Sequence, residues 1–190
     1  MLSGGGNQGV SQVGMLRALL ERGIEPDVVI GTSAGALNGA ALATHPTLAG
    51  VEQLADVWLS IRSGEVFPSS KLARAWNVLR RDDHLFTNDG LRAVVERAHA
   101  APTFAELAVP LRVIATDLDT GDEVVLACGP VEPALLASTA LPGLFPPIEH
   151  DGRLLVDGAV VNSVPLWHAL SGPVDRIYVC NVTGALADRK

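Results

Sequence analysis

The chain has 190 residues, of which 48% are apolar and 18% charged. That length fits one domain, and the composition buries a sizeable core and excludes intrinsic disorder. Its 14 basic and 21 acidic residues leave a formal charge of −7 and a pI near 5.1, a balance that argues against a nucleic-acid binder, which needs a basic face.

The first 45 residues read as strand, glycine-rich loop, helix, strand, sharp turn, helix. Val13, Leu16, Leu19 and Leu20 recur on roughly one helical face, and Gly23 follows as a C-terminal stop. Val28-Val29-Ile30 is a short apolar run between Pro26 and Gly31, as in a buried parallel strand. Ala34 to Ala43 is small and apolar, which suits a helix packed closely on a sheet. Residues 47–100 are expected to be mostly helical, with Thr87 or Asn88 capping a helix that runs to about His99. Leu111 to Ala115 and Glu123 to Ala127 predict two strands joined through Thr120-Gly121-Asp122, and Glu132 to Ser138 predicts a helix. Pro142, Pro146 and Pro147 then force an irregular loop. Ile148-Glu149-His150 and Arg153-Leu154-Leu155-Val156 flank Asp151-Gly152, a hairpin signal. Ile177 to Val182 predicts a late buried strand. Strands alternating with helices give an α/β fold with a mostly parallel central sheet flanked by helices, carrying a helical insertion over about 45–105.

Three motifs carry chemistry. Gly4-Gly5-Gly6-Asn7-Gln8-Gly9 brings bare N–H groups close to a ligand at the start of a helix, whose field favours negative charge. It admits a dinucleotide loop, a plain glycine turn, or an anion or oxyanion cradle. The first needs an acidic residue at the end of the second strand, and Asp27 instead precedes Val28-Val29-Ile30. Gly31-Thr32-Ser33-Ala34-Gly35 matches G-x-S-x-G where an apolar strand meets a small-residue helix, the setting of a nucleophile elbow; the plainer alternative is a glycine-rich helix cap. Asp157-Gly158-Ala159 follows Leu154-Leu155-Val156, so Asp157 ends a strand as a base, an orienting group or merely part of an Asp-Gly turn, as Asp151-Gly152 is. All three lie where strands stop, and open α/β sheets bind ligands beyond those carboxyl ends.

Of the five histidines only His168 follows Asp157, as a triad of the α/β-hydrolase type requires, and it lies at a predicted helix start. His150, beside the hairpin turn, is expected to be solvated. About 30 residues precede Ser33, too few for the strands an α/β-hydrolase places before its nucleophile. Cys128 and Cys180 lack any metal-ligand or disulfide spacing, so no metal or cofactor is expected and a reducing compartment is. There is neither a transmembrane-length apolar run nor a signal-peptide start at Met1-Leu2-Ser3-Gly4, which makes a cytoplasmic protein the expectation.

Together these residues resemble the patatin-like phospholipase family. The likeness runs through Gly4–Gly9, Gly31–Gly35, Val113-Ile114-Ala115-Thr116-Asp117, the stretch Ala137 to Pro147, Asp157-Gly158-Ala159 and Val160-Val161-Asn162. The resemblance implies a Ser-Asp dyad, with Ser33 as nucleophile and Asp157 as base. It also implies an oxyanion hole from the N–H groups of Gly5 and Gly6, and hydrolysis of lipid acyl esters through an acyl-Ser33 intermediate. The expected domain is a single catalytic unit over 1–190, clipped at both ends. Gln8 stands where the family commonly has a basic residue, and only Met1-Leu2-Ser3 precede the glycines. A free Asp has a pKa of about 3.9, poorly matched to a serine proton at neutral pH. Either an apolar site raises it, or the proton moves in concert with attack.

Alternatives within the same motifs are an acyltransferase or thioesterase using Ser33, or a catalytically weak lipid- or anion-binding module; a nucleotide-binding oxidoreductase ranks last. Residues 69–81 supply a local exception to the acidic balance: Leu72, Trp76 and Leu79 form one stripe among Lys71, Arg74, Arg80 and Arg81. That pattern is either a peripheral membrane contact over the Ser33 crevice or an ordinary helix whose stripe packs into the core.

Overall fold

The computed structural model describes residues 1–61, 86–98 and 101–183. The basic segment 69–81, His84 and His99 lie outside them.

Helix α1 (Val10–Leu20) buries Val13 and Leu16, leaves Leu19 and Leu20 half-buried, and stops three residues before Gly23, whose φ is +68°. Strand β1 (Val29–Thr32) leads into α2 (Ala34–Thr44), in which every residue from Ala34 to Ala43 is buried. Only small side chains allow such a helix to lie this close to a sheet: a Cβ on Gly39 would sit 3.0 Å from Val29. Helix α3 (Leu48–Ser60) begins at Thr47, whose hydroxyl accepts from Gly50 N–H at 3.1 Å. Helix α4 (Asp89–Ala98) is the second described helix of the stretch expected to be helical. Strands β2 (Leu111–Asp117) and β3 (Glu123–Leu126), helix α5 (Val131–Thr139), strands β4 (Ile148–His150) and β5 (Arg153–Asp157), and the short α6 (Leu166–Leu170) follow.

The sheet is mixed rather than mostly parallel. Among the described residues only β1 and β2 pair in parallel as strands, whereas β2–β3, β2–β5 and β4–β5 are antiparallel. Turn chemistry explains the difference. Asp151 and Gly152 both have positive φ, +49° and +74°, so the two-residue loop is of the type that closes a tight antiparallel hairpin. The longer β2–β3 connection, residues 118–122, is also a turn, with Asp117 Oδ1 accepting from the N–H groups of Asp119 (3.0 Å) and Thr120 (3.2 Å).

The predicted strand at 177–182 is reduced to one residue: Leu2 bridges Gly31 on one side and Cys180 on the other, both in parallel. The ladder does not continue past Cys180, because Val182 N–H goes to the Ser3 hydroxyl (2.9 Å) instead of a backbone carbonyl, and the chain after Ser3 enters the glycine loop.

Register places the functional end. β3 pairs with Val113–Thr116 of β2, so β1 (on 111–114) and β5 (on 115–117) share the opposite edge, one after the other. Thr32 aligns with Ile114 and Asp157 with Ala115. The carboxyl ends of β1 and β5 therefore meet head-on across a single peptide of β2. A core of Leu2, Val29, Val113, Ala115, Leu135 and Leu155, each at most 1% exposed, packs against that meeting point from one face of the sheet.

Candidate active site

Ser33 follows β1 at the N-terminus of α2 with φ +55° and ψ −126°. A side chain rarely tolerates that backbone, and holding it there costs on the order of 1–3 kcal/mol. Neighbouring glycines make the turn possible. A Cβ on Gly31 would lie 2.4 Å from Gly35 O, and one on Gly35 would lie 2.5 Å from the carbonyls of Leu2 and Ser3. Hydrogen bonds hold the strained residue on both sides. Its N–H donates to Ser138 Oγ (2.9 Å), which in turn donates to Ile114 O (2.6 Å), and its carbonyl accepts from Ala36 N–H (2.8 Å).

Asp157 arrives at the same point from β5. Its backbone N–H donates to Ala140 O (2.9 Å) and its carbonyl accepts from Thr116 Oγ1 (3.0 Å). Gly158 lets the chain leave the strand against β2, since a Cβ there would meet Ile114 O at 2.3 Å. The carboxylate is fully buried, and Ser33 is 7% exposed. Oδ1 accepts from Ala159 N–H (2.8 Å) and Oδ2 accepts from Ser33 Oγ (2.7 Å), across 124 residues of sequence. Burial pushes the Asp157 pKa up to about 6, against the opposing pull of the Ala159 N–H and the Ser33 hydroxyl. Of the two routes past the mismatch between an ordinary aspartate and a serine proton, this direction agrees with the first.

The glycine loop packs on the serine: a Cβ on Gly4 would lie 3.5 Å from Ser33 Cβ. Gly4 N–H is occupied by Ser163 O (2.9 Å). The next two donors differ, because Gly5 and Gly6 stand at the start of a 3-10 turn (Gly6–Gly9), where N–H groups have no intrahelical acceptor, and among the described residues neither has a partner. Gly6 has φ +55°. Gly9 is pressed against Ala34 and the Trp58 ring, at 2.8 and 3.0 Å from a would-be Cβ. Gln8 is half-buried on the same turn, its N–H donating to Gly5 O at 3.1 Å.

No described histidine reaches the pair. His168 Nε2 bonds the Glu123 carboxylate, whose second oxygen accepts from Asn162 Nδ2. His150, expected in solvent, is half-buried beside Asp151. Cys128 and Cys180 are both free thiols.

A family model described as Patatin-like phospholipase matches residues 1–170. The chain belongs to that family. It is 34% identical over 167 residues to a patatin-like phospholipase domain-containing protein of Caenorhabditis elegans, covering 87% of this chain and 12% of that one. It is 31% identical over 190 residues to an NTE family protein of Mycobacterium tuberculosis, covering 98% of this chain and 49% of that one. The chain thus spans half or less of these relatives' length. The crystal structure of VipD from Legionella pneumophila matches 86% of this chain and 46% of its own at a TM-score of 0.57 and 16% identity, a likeness of fold. No described helix of this patatin-like chain is long and apolar enough to cross a membrane.

Within the patatin-like frame, Ser138, Gln12 and Asn38 support the site although the sequence assigns them no role. Each is a fully buried polar residue on an otherwise apolar helical face. That contrast is the signal that marks them, because buried polar groups persist where they are hydrogen-bonded.

The buried carboxylate has a pH signature. Its folded-state pKa, about 6, lies above the ordinary value of 3.8, so the fold favours protonated Asp157. That contribution is complete below about pH 4 and is lost as pH rises through about 6, a difference of about 3 kcal/mol. Asp157→Asn is therefore expected to melt higher than wild type at pH 8, by about 2–4 °C per kcal/mol regained. The two proteins should converge near pH 4, as thermal melts across that range will show.

Proposed function

We propose that this chain is a serine lipid acyl hydrolase that cleaves carboxylic esters with a Ser33–Asp157 dyad. The observation that carries this reading is the 2.7 Å contact between the hydroxyl of a strained serine and a fully buried carboxylate. Asp157 Oδ2 takes the Ser33 proton as Oγ attacks the ester carbonyl. The N–H groups of Gly5 and Gly6, with the N-terminal field of α2, receive the negative charge that forms on the carbonyl oxygen. Collapse of the tetrahedral adduct breaks the ester C–O bond, and the departing alcohol leaves with the proton from Asp157. Water then attacks the acyl-Ser33 ester, gives its proton to Asp157, and releases the fatty acid as the proton returns to Oγ. Val160 and Val161, just past the Asp157-Gly158 turn, are 56% and 47% exposed and offer apolar contact at the site's edge, which suits an acyl substrate.

The base must be ionised, so hydrolysis of a soluble ester is expected to fall about tenfold per pH unit below about pH 6. A graded series of acyl esters, run with and without an added alcohol, tests the reaction. Free fatty acid as the main product, with pH-dependent turnover centred near 6, supports hydrolysis. Predominant transfer to the alcohol supports the acyltransferase alternative, and no turnover on any ester contradicts the reading.

A further inference from the structure

Two buried amides brace the glycine loop at both of its ends. Gln12, on α1, donates through Nε2 to Ser3 O (2.9 Å), the carbonyl just before Gly4, and to Cys180 O (3.0 Å). Asn38, on α2 five residues after Ser33, donates through Nδ2 to Gly9 O (2.8 Å), the carbonyl that ends the loop. The same Nδ2 donates to Gln12 Oε1 (2.8 Å), which joins the two amides. Trp58 Nε1–H, from α3, donates to Asn38 Oδ1 (2.7 Å). Gln12 and Asn38 are both 0% exposed.

The direction of every bond is forced. An indole N–H only donates, so it fixes Asn38 Oδ1, and backbone carbonyls only accept, so they fix both amide nitrogens. Neither amide can flip without setting like groups against each other. The relay thus holds the loop's entry, its exit and the helix behind Ser33 in one register.

We propose that Gln12 and Asn38 are positioning residues that hold the Gly5 and Gly6 N–H groups in register with Ser33, with Trp58 locking the orientation of the pair. The inference rests on the oxyanion reading of that loop. Among the described residues no hydrogen bond of either amide goes to Ser33 or Asp157. The amides act through the loop, and a misplacement of about 1 Å in such donors costs about 10² in rate. The arrangement also gives α3 a role in the site, because its Trp58 both caps Asn38 and packs on Gly9.

The test is steady-state kinetics of Gln12→Met on a water-soluble aryl ester, with kcat, KM and the pH profile measured beside Gly6→Ala. Gln12→Met keeps the side-chain length and removes the donors. The expected result is a loss of about 10² in kcat, with KM within about twofold of wild type and the pH midpoint unmoved. A general loosening of the fold would hydrate Asp157 and move that midpoint down toward the ordinary carboxylate range, which would assign Gln12 a purely structural role and overturn the proposal. If Gln12→Met does not fold, Trp58→Phe carries the test. It removes one indole donor at a half-buried position and is expected to lower kcat by about tenfold, at the same midpoint. Full kcat in the folded variant while Gly6→Ala loses its rate overturns the clamp and leaves the oxyanion reading standing. Full kcat in Gly6→Ala as well overturns both.

Discussion

Ser33→Ala is expected to lower ester hydrolysis by roughly 10⁴–10⁶, and Asp157→Asn by a comparable amount, because a nucleophile and its base act as a unit. The two variants reach that loss differently. Alanine removes the attacking atom and leaves the strained backbone at φ +55° without a hydroxyl to present. Asparagine keeps the shape of the carboxylate and its bond from Ala159 N–H, but it cannot take a proton. Gain of stability at pH 8 with loss of turnover in Asp157→Asn would mark a group held charged for chemistry rather than for the fold. His168→Gln is expected to keep most of the rate, since His168 faces Glu123 and not the dyad. Progress curves on one ester for the three variants check this, and equal loss in His168→Gln and Ser33→Ala would restore a triad.

Gly6→Ala is expected to cost about 10²–10³ in kcat, the usual effect of losing one oxyanion donor. A new Cβ at Gly6 meets none of the described residues within 4 Å, so crowding among them is not the cause of the loss. The cause is the backbone. At φ +55° an alanine is strained by on the order of 1–2 kcal/mol, and the loop relieves this by rotating its peptides away from the attack point. Gly5→Ala fails for a different reason, since its Cβ would meet Val182 at 2.5 Å. Gly6→Ala is therefore the cleaner probe: kcat and KM measured on a folded variant separate donor geometry from packing. Full kcat would remove the loop from the reaction.

The residues that meet at the site are local signals whose meeting is not local. Gly31-Thr32-Ser33-Ala34-Gly35 shows its turn because the glycines and the flanking apolar run demand one. Asp157-Gly158 shows a strand end for the same reason. What brings them together is the register of β1 and β5 along one edge of β2, and no short-range pattern encodes a pairing across 124 residues. The sheet's mixed character is partly legible in Asp151-Gly152, a hairpin turn that implies antiparallel pairing, although alternation of strands and helices by itself points to a parallel sheet. The predicted late strand shrinks to a single bridge at Cys180 because the next ladder donor, Val182 N–H, is taken by the Ser3 hydroxyl, a side-chain contact that an apolar run such as Ile177 to Val182 does not reveal. Gln12, Asn38 and Ser138 do not stand out in the sequence because a polar residue in an apolar helix reads as a tolerated exception without its partners. In the fold each is fully hydrogen-bonded, and Ser138 supports the Ser33 peptide directly.

The central claim is that Ser33 is activated by Asp157 without a histidine. Covalent labelling by a fluorophosphonate, read as the mass of the Ser33 peptide after digestion, tests it most directly, because it reports the nucleophile's reactivity without depending on which ester is the substrate. Wild type and His168→Gln are predicted to label at Ser33 with similar rates that rise through about pH 6, while Asp157→Asn labels at least 10²-fold more slowly. Labelling of His168→Gln as slow as that of Asp157→Asn, or a label that settles on a residue other than Ser33, would contradict the account.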